Sequence, residues 1–384
     1  MRIAMFSDTY LPQVNGVVTM IKLLKDYLEK EGHDVFIFTV SHPKARPEKN
    51  VFRFRSFQFP WEKQHRVASP MVFKEAEEII QDLKVDLIHT HTMIVMGYIG
   101  NIIAGRHGIP SVNTYHTLME DYVHYIPFFN NFLKELVVDQ TRRFCNKHNA
   151  IIVPSNKVKN LLTNYGVSSE IVVIPNGIKL ENFEKPFSEE EKIAFRKRWD
   201  IPDDASLMIF VGRLGKEKGV EYLIDNLARI NSKHPDTRLL IVGDGPERKN
   251  LISQAKKLGI KKKVILTGYL KWPEEVSLAY QASDLFVMAS HTETFGVVLV
   301  EAMINGLPVV AFHDEAFDNI IENNVNGYMV ERKDELYKAM DLLLSSEELR
   351  KKMGQTARET AKKFSIENHV RKTLNLYDKV ISDR

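Results

Sequence analysis

Short β-rich runs alternate with amphipathic helical ones from residue 2 to about residue 178, and the alternation then starts afresh. In the first half RIAMFSD, DVFIFTV, VFRFRSF, VDLIHTH, PSVNTYH, AIIVPS and IVVIPNGI are separated by helical patterns, among them Val17 to Lys30 and Pro70 to Leu83. In the second, SLMIFVGRL, RLLIVGDG, KVILTGYL, DLFVMAS, LPVVAFH and NGYMV repeat the scheme, with a helix near Val220 to Ser232. Such alternation predicts parallel sheets covered by helices on both faces. The expected fold class is α/β, two doubly wound domains facing across a cleft, with ligands outside the carboxyl ends of the strands. The charged stretch from Lys179 to Asp204 lacks a β pattern and reads as the linker and the entry to a second domain. The expected domains are therefore 1–185 and 186–364, with 365–384 as a C-terminal helix free to return to the first.

Composition removes several classes of protein. Hydrophobic residues are 44% and charged residues 27% of the chain, which suits globular domains rather than an extended chain. No apolar run reaches the roughly 18 residues of a spanning helix, and MRIAMFSDTYLPQ reads as strand and turn, so a cytoplasmic protein is expected. The lone cysteine, Cys145, leaves no disulfide framework and no thiolate metal cluster. The net charge of +3 is unevenly spread: between Lys44 and Lys74 the balance is +6, whereas the rest carries 45 basic and 48 acidic residues. No recognisable nucleic-acid reading module accompanies this basic segment, so nucleic acid is not an expected partner.

The segment ETFGVVLVEAMINGLPVV, Glu293 to Val310, sets a carboxylate on each side of a run otherwise suited to burial. DLFVMAS predicts a buried strand, HTETFG a polar turn, and VVLVEAMIN a helix stopped by Asn305-Gly306 and Pro308. Glu293 then lies just ahead of a helix N-terminus, Glu301 lies inside the helix, and Gly296 lets the backbone pass close to a neighbour. Free amides beside two carboxylates suit a ligand joining many hydroxyls to an anionic group, as a sugar nucleotide does. A capping Glu and a surface Glu are the plainer reading. IFVGRLGKEKG offers Arg213 and Lys218 around a turn, where a guanidinium fork and a mobile ammonium would meet a diphosphate, or else form a solvated basic loop.

Near the start, Asn15-Gly16 sit between a strand and a helix and leave room for a phosphate at the backbone. VGDGPE reads as plain turn chemistry. His116 ends PSVNTYH at the carboxyl end of a strand and points into the expected cleft, or packs as a structural histidine. His89 and His91 in IHTHT read as structural, because no Cys or paired carboxylate completes a metal set. No Asp-x-Asp pair is present, so no acidic metal motif is seen.

In this order, FSDTYLPQVNGVV, TYHT, VPSN, VIPNGI, GRLGKEKG, VGDGPE and ETFGVVLVEAM resemble family 4 of the retaining, nucleotide-sugar-dependent glycosyltransferases with the GT-B fold, over nearly the whole chain. The resemblance implies Rossmann-like domains and a catalytic set of His116, Arg213, Lys218 and Glu293. It assigns Glu293 to the sugar hydroxyls, Glu301 to the ribose hydroxyls, and the amides of Phe295, Gly296, Val297 and Val298 to the sugar. Arg213, Lys218 and an amide of Gly16 would meet the diphosphate, with His116 beside the donor sugar. It implies a UDP-sugar donor, no tightly bound cofactor, and Mg2+ as an optional helper. Asp8, Tyr10 and Glu120 are candidates for contact with the acceptor hydroxyl.

FSDTYLPQVNGVVT and TYHTLMEDYVHYIP are most similar to diacylglycerol glucosyltransferases of bacterial membranes. The basic segment agrees with a lipid acceptor: Arg53, Arg55, Lys63 and Arg66 are interspersed with Phe57, Phe59 and Trp61, as on an interfacial surface, unless they form an ordinary solvated strand. The expectation is a retaining transferase that moves glucose from UDP-glucose to diacylglycerol, peripheral on the inner face of the cell membrane and in contact with anionic lipid. Open beside it are another family 4 acceptor such as phosphatidylinositol or a soluble glycan, a GT-B epimerase of a nucleotide sugar, and a non-enzymatic lipid-binding protein.

Overall fold

The β-branched and aromatic runs become strands of two parallel sheets. The computed structural model describes the chain apart from residues 14, 59–65, 117–130, 291 and 384, and for residues 70 and 131–134 it describes the backbone only. In the first half lie β1 (Arg2–Ser7), β2 (Asp34–Val40), β3 (Val51–Phe54), β4 (Ser56–Gln58), β5 (Arg66–Ala68), β6 (Leu87–Thr90), β7 (Ser111–Thr114), β8 (Ala150–Val153) and β9 (Glu170–Val173). All but β4 and β5 form a sheet in the order β3-β2-β1-β6-β7-β8-β9. Successive side chains of a strand face opposite sides. Ile3 and Met5 pack with the helices Gly16–Lys30 and Ile366–Ser382, whereas Ala4 and Phe6 pack with Phe73–Leu83 and Val95–His107. Burial on both faces is why these strands read as continuous apolar runs rather than alternating ones.

The second sheet has the order β12-β11-β10-β13-β14-β15, from β10 (Leu207–Val211), β11 (Arg238–Val242), β12 (Val264–Gly268), β13 (Leu285–Met288), β14 (Val309–Phe312) and β15 (Gly327–Val330). Here Ile209 and Phe286 enter one core, and Met208, Phe210, Leu285 and Val287 the other. In each sheet the strand order reverses at one point, between β1 and β6 and between β10 and β13. Doubly wound sheets bind ligands beyond the carboxyl ends of the strands at such switch points.

The chain forms two units, Met1–Gly177 with Ile366–Arg384, and Ile178–Ser365. A Cβ on Gly177 would lie 2.7 Å from Ile366 Cα and 2.8 Å from His369 Cβ, so the chain at Gly177 runs too close to the start of the last helix for any side chain. The stretch expected as linker and domain entry belongs to the second unit throughout. Its helices Glu181–Glu184 and Glu189–Arg198, the latter opened by a capping box between Ser188 and Glu191, carry Phe183 and Phe195 into that unit's core. Residues 178–185 therefore leave the first domain. VFRFRSF, expected as one strand, divides at Arg55: β3 stays on the main sheet, and β4 turns to pair antiparallel with β5.

Candidate active site

At the β10/β13 switch point two distant loops meet. Lys218, which ends the turn after β10, places Nζ 2.5 Å from Glu293 Oε1, and their side chains are only 21% and 15% exposed. Arg213 Nη2 lies 2.6 Å from Glu217 Oε1. Ser290 Oγ donates to the Glu217 carbonyl at 3.4 Å, tying the basic turn to the one that carries Glu293. From the end of β14, the buried Asp314 accepts the Glu293 N–H at 3.3 Å and the Ala316 N–H at 2.9 Å, which fixes the Glu293 backbone. Neither basic side chain is a free solvated charge; each stands against a carboxylate that a bound anion would have to share. Glu217, Ser290 and Asp314 were not anticipated, although Glu217 sits inside the GKEKG turn itself.

Gly296 then opens the helix Val297–Ile304 with φ +84°, a conformation L side chains avoid, and a Cβ there would lie 2.7 Å from the Phe317 ring. The close neighbour expected of this glycine is thus within the protein. Phe295 is buried, with its ring edge-on to Phe364, so only its backbone is available to a ligand. Leu299 N–H already bonds the Gly296 carbonyl, and the amides before it, at Gly296, Val297 and Val298, are the ones a helix start leaves without intrahelical partners. Glu301, inside the helix, is buried rather than on the surface. Trp272 Nε1 donates to its Oε1 at 3.2 Å and Tyr280 Oη to its Oε2 at 3.3 Å. Burial outweighs these two donors and pushes its pKa up to about 7. No local pattern announces Trp272 or Tyr280.

In the first unit the β1/β6 switch point holds Gly16 and a row of histidines. Asn15 accepts the Val18 N–H at 2.9 Å, so the helix starts at Gly16. The Gly16 backbone is not left-handed, and a Cβ would meet nothing within 4 Å, so no neighbour among the described residues demands a glycine there. His116 is half-buried, with Nε2 3.1 Å from His91 Nδ1. Burial, with His369 nearby, holds its pKa down to about 3, so the ring is neutral. His89 and His91 are buried. His89 is fixed at both nitrogens, by Tyr377 Oη at 2.5 Å and Thr114 Oγ1 at 2.7 Å. Among the described residues no three His, Cys, Asp or Glu side chains are grouped to hold a metal ion.

Two of the candidate acceptor contacts, Asp8 and Tyr10, are engaged within the fold. Asp8 accepts the Met96 N–H at 3.0 Å and the Thr92 hydroxyl at 2.7 Å, capping the helix Val95–His107. Tyr10 is buried and donates to Glu48 at 3.3 Å. Glu120 lies outside the described residues.

The basic segment also differs from a row of free interfacial charges. Arg53 donates to the carbonyls of Leu11 at 2.8 Å and Val40 at 3.4 Å. Arg66 donates to the Ser56 carbonyl at 2.8 Å and its hydroxyl at 3.0 Å. Both guanidinium groups are held by the fold, because the loop after β1, the end of β2 and β4 present carbonyls that need donors. Arg55 is exposed, its guanidinium 5.6 Å from the centre of the Phe57 ring, and Phe57 is also exposed. Phe59, Trp61 and Lys63 lie outside the described residues. Nearby, an apolar groove of about 610 Å³ runs beside the helix Val95–His107. Ile94, Tyr98, Ile102 and Arg106 line it at four-residue spacing, with Phe73 and Ile99. Ile94 and Ile102 are exposed, an unusual fate for two isoleucines on one helical face. Among the described residues no helix is long and apolar enough to cross a membrane.

Residues 14–182 match the family model described as Glycosyltransferase Family 4, and residues 191–360 match the one described as Glycosyl transferases group 1. The chain is 34% identical to an alpha-monoglucosyldiacylglycerol synthase of Streptococcus pneumoniae, covering all of this chain and 87% of that one. It is 31% identical to an alpha-monoglucosyldiacylglycerol synthase of Acholeplasma laidlawii, covering 98% and 96%. Among solved structures, HepE of Anabaena in complex with UDP and glucose superposes with a TM-score of 0.77 at 19% identity, over 99% of this chain and 100% of that one.

Proposed function

Since this chain belongs to glycosyltransferase family 4, has the GT-B fold and is therefore an enzyme that draws on a nucleotide-sugar donor, we propose that it moves glucose from UDP-glucose to the free hydroxyl of diacylglycerol, retaining the α-configuration, at a membrane surface. Kinship to transferases sets aside the epimerase and the non-enzymatic lipid-binding readings.

The observation that carries the site assignment is Lys218 against Glu293 at the start of the Val297–Ile304 helix: a cation, a carboxylate and helix-start amides that lack intrahelical partners converge at a switch point. In the proposed reaction Arg213, Lys218 and the Gly16 amide neutralise the diphosphate as its bond to the anomeric carbon breaks. Glu293 and the amides of residues 295–298 hold the sugar, Glu301 holds the ribose hydroxyls, and His116, being neutral, hydrogen-bonds the sugar without adding charge. The acceptor oxygen bonds to the anomeric carbon on the face the diphosphate leaves, and its proton passes to the departing diphosphate oxygen. UDP as carrier accords with HepE, which shares the fold.

A lipid acceptor is supported by the two synthases of similar length and by the groove beside Val95–His107, whose apolar walls suit an acyl chain. Exposed Arg55 and Phe57 suit an anionic interface on the inner face of the membrane. The deciding experiment offers the protein a panel of nucleotide sugars with diacylglycerol, phosphatidylinositol or a soluble glycan and analyses the products by mass. An α-glucosyl diacylglycerol formed from UDP-glucose is expected. Transfer to only one of the other acceptors would overturn the lipid assignment, and a trapped glycosyl-enzyme would overturn the same-face displacement.

A further inference from the structure

We propose that His91 is a positioning residue: its hydrogen bond to His116 holds that ring in one orientation and in the tautomer that presents an N–H at Nδ1 to the donor sugar. This rests on the reading of His116 as a donor-sugar contact.

The pair is His91 Nδ1 and His116 Nε2, 3.1 Å apart. Burial keeps both rings neutral, so one nitrogen of the pair must donate and the other accept. The other nitrogen of His91, Nε2, is buried with no hydrogen-bond partner among the described residues. If His91 carried its proton on Nε2, a buried N–H would be left unbonded. If the proton is on Nδ1, only a lone pair is. Orphaned buried N–H groups are the rarer and costlier of the two. His91 therefore donates, His116 Nε2 accepts, and the proton of His116 lies on Nδ1.

His91 is itself held in place. Residues 89 and 91 fall on the same face of one chain segment, and their rings stand 4.0 Å apart. His89 cannot turn, because Tyr377 on the last helix and Thr114 at the end of β7 hold its two nitrogens. The His91 backbone N–H donates to the Phe6 carbonyl at 2.9 Å. Three imidazoles thus run from a fixed interior position to the half-buried His116, and His91 is the one that sets what His116 offers. IHTHT is then a support for TYHT, 25 residues later.

The test combines nitrogen NMR of the full chain, labelled at histidine, with kinetics of His91→Leu, His91→Asn and His116→Ala. Wild-type His116 is expected in the Nδ1–H form. His91→Leu should mix the tautomers and lower kcat roughly tenfold to a hundredfold, while UDP affinity changes less than about twofold. In His91→Asn the side-chain amide nitrogen takes the place of Nδ1, and should restore both the tautomer and kcat to within about threefold. Wild-type His116 in the Nε2–H form would overturn the proposal even if His91→Leu fails to fold. So would undiminished kcat in His91→Leu alongside a crippled His116→Ala. Full activity in His116→Ala would instead sink the assignment of His116 to the sugar.

Discussion

Lys218 Nζ stands 2.5 Å from Glu293 Oε1 across 75 residues of sequence, so the cation proposed for the diphosphate and the carboxylate proposed for the sugar form one unit in the free protein. Their effects on function and on stability are consequently coupled.

Lys218→Ala and Arg213→Ala should each lower turnover at saturating donor by roughly 10²- to 10³-fold, the cost of removing a preorganised charge from a leaving group. Stability separates them. Arg213 pairs at an exposed position, and its loss should cost less than about 1 kcal/mol. Lys218→Ala strands the largely buried Glu293 and should cost roughly 1–2 kcal/mol, less than the 3–5 kcal/mol of a fully buried pair. Urea unfolding with single-turnover assays measures both, and turnover within about threefold of the parent would refute the diphosphate role.

Glu293→Gln should leave UDP affinity unchanged or raise it, because Lys218 is released from its partner, yet turnover should fall. Glu301→Ala should weaken UDP itself. Calorimetric titration of UDP into the two variants distinguishes them, and equal losses would contradict separate sugar and ribose roles. In the Lys218→Ala/Glu293→Gln double mutant the effects should depart from additivity by about 0.5–3 kcal/mol.

Glu301 predicts a pH dependence of definite sign. Its folded pKa of about 7 exceeds the ordinary 4.5, so the native state binds the proton more tightly than the unfolded chain does. Stability should be greatest below pH 4.5 as far as this group is concerned, fall as pH rises through that window, and level off above 7. The full swing is about 3 kcal/mol. The difference between wild type and Glu301→Gln isolates it from other titrations. If the ionised carboxylate accepts ribose hydroxyls, UDP binding near pH 6.5 should also release a proton in wild type and less in Glu301→Gln, read from calorimetry in buffers of different ionisation enthalpy.

The interfacial segment divides into charges that the fold needs and charges that it does not. Arg55→Ser with Phe57→Ser should weaken sedimentation with anionic vesicles at low salt and leave stability within about 0.5 kcal/mol. Arg53→Ser removes donors from two backbone carbonyls and should cost about 1–3 kcal/mol, so a vesicle defect in it alone would not report on membrane charge. Wild-type attachment by Arg55→Ser/Phe57→Ser would mark the segment as a solvated face.

In the groove beside Val95–His107, Ile94 and Ile102 are exposed, so Ile102→Glu should fold normally. It should raise KM for diacylglycerol in mixed micelles roughly tenfold or more while UDP affinity is unchanged. An unaltered lipid KM would remove the groove from the acceptor path.

Both sheets, their helical layers and the loops after β1, β10 and β13 were legible in the sequence, because strand and helix periods are local and glycine, asparagine and proline mark where they stop. The motif loops fell at the two switch points for the same local reason. Tertiary structure alone decided which charges compensate one another. Lys218 meets Glu293, Trp272 and Tyr280 close over Glu301, and Arg53 is consumed by carbonyls from residues 11 and 40. It also decided that Phe183 and Phe195, sparse in a charged stretch, are core residues of the second unit, and that His91 supports His116. Periodicity carries the burial of a face, but a hydrogen bond or an ion pair joins two atoms whose separation along the chain leaves no repeating pattern, so only the folded coordinates could identify these partners.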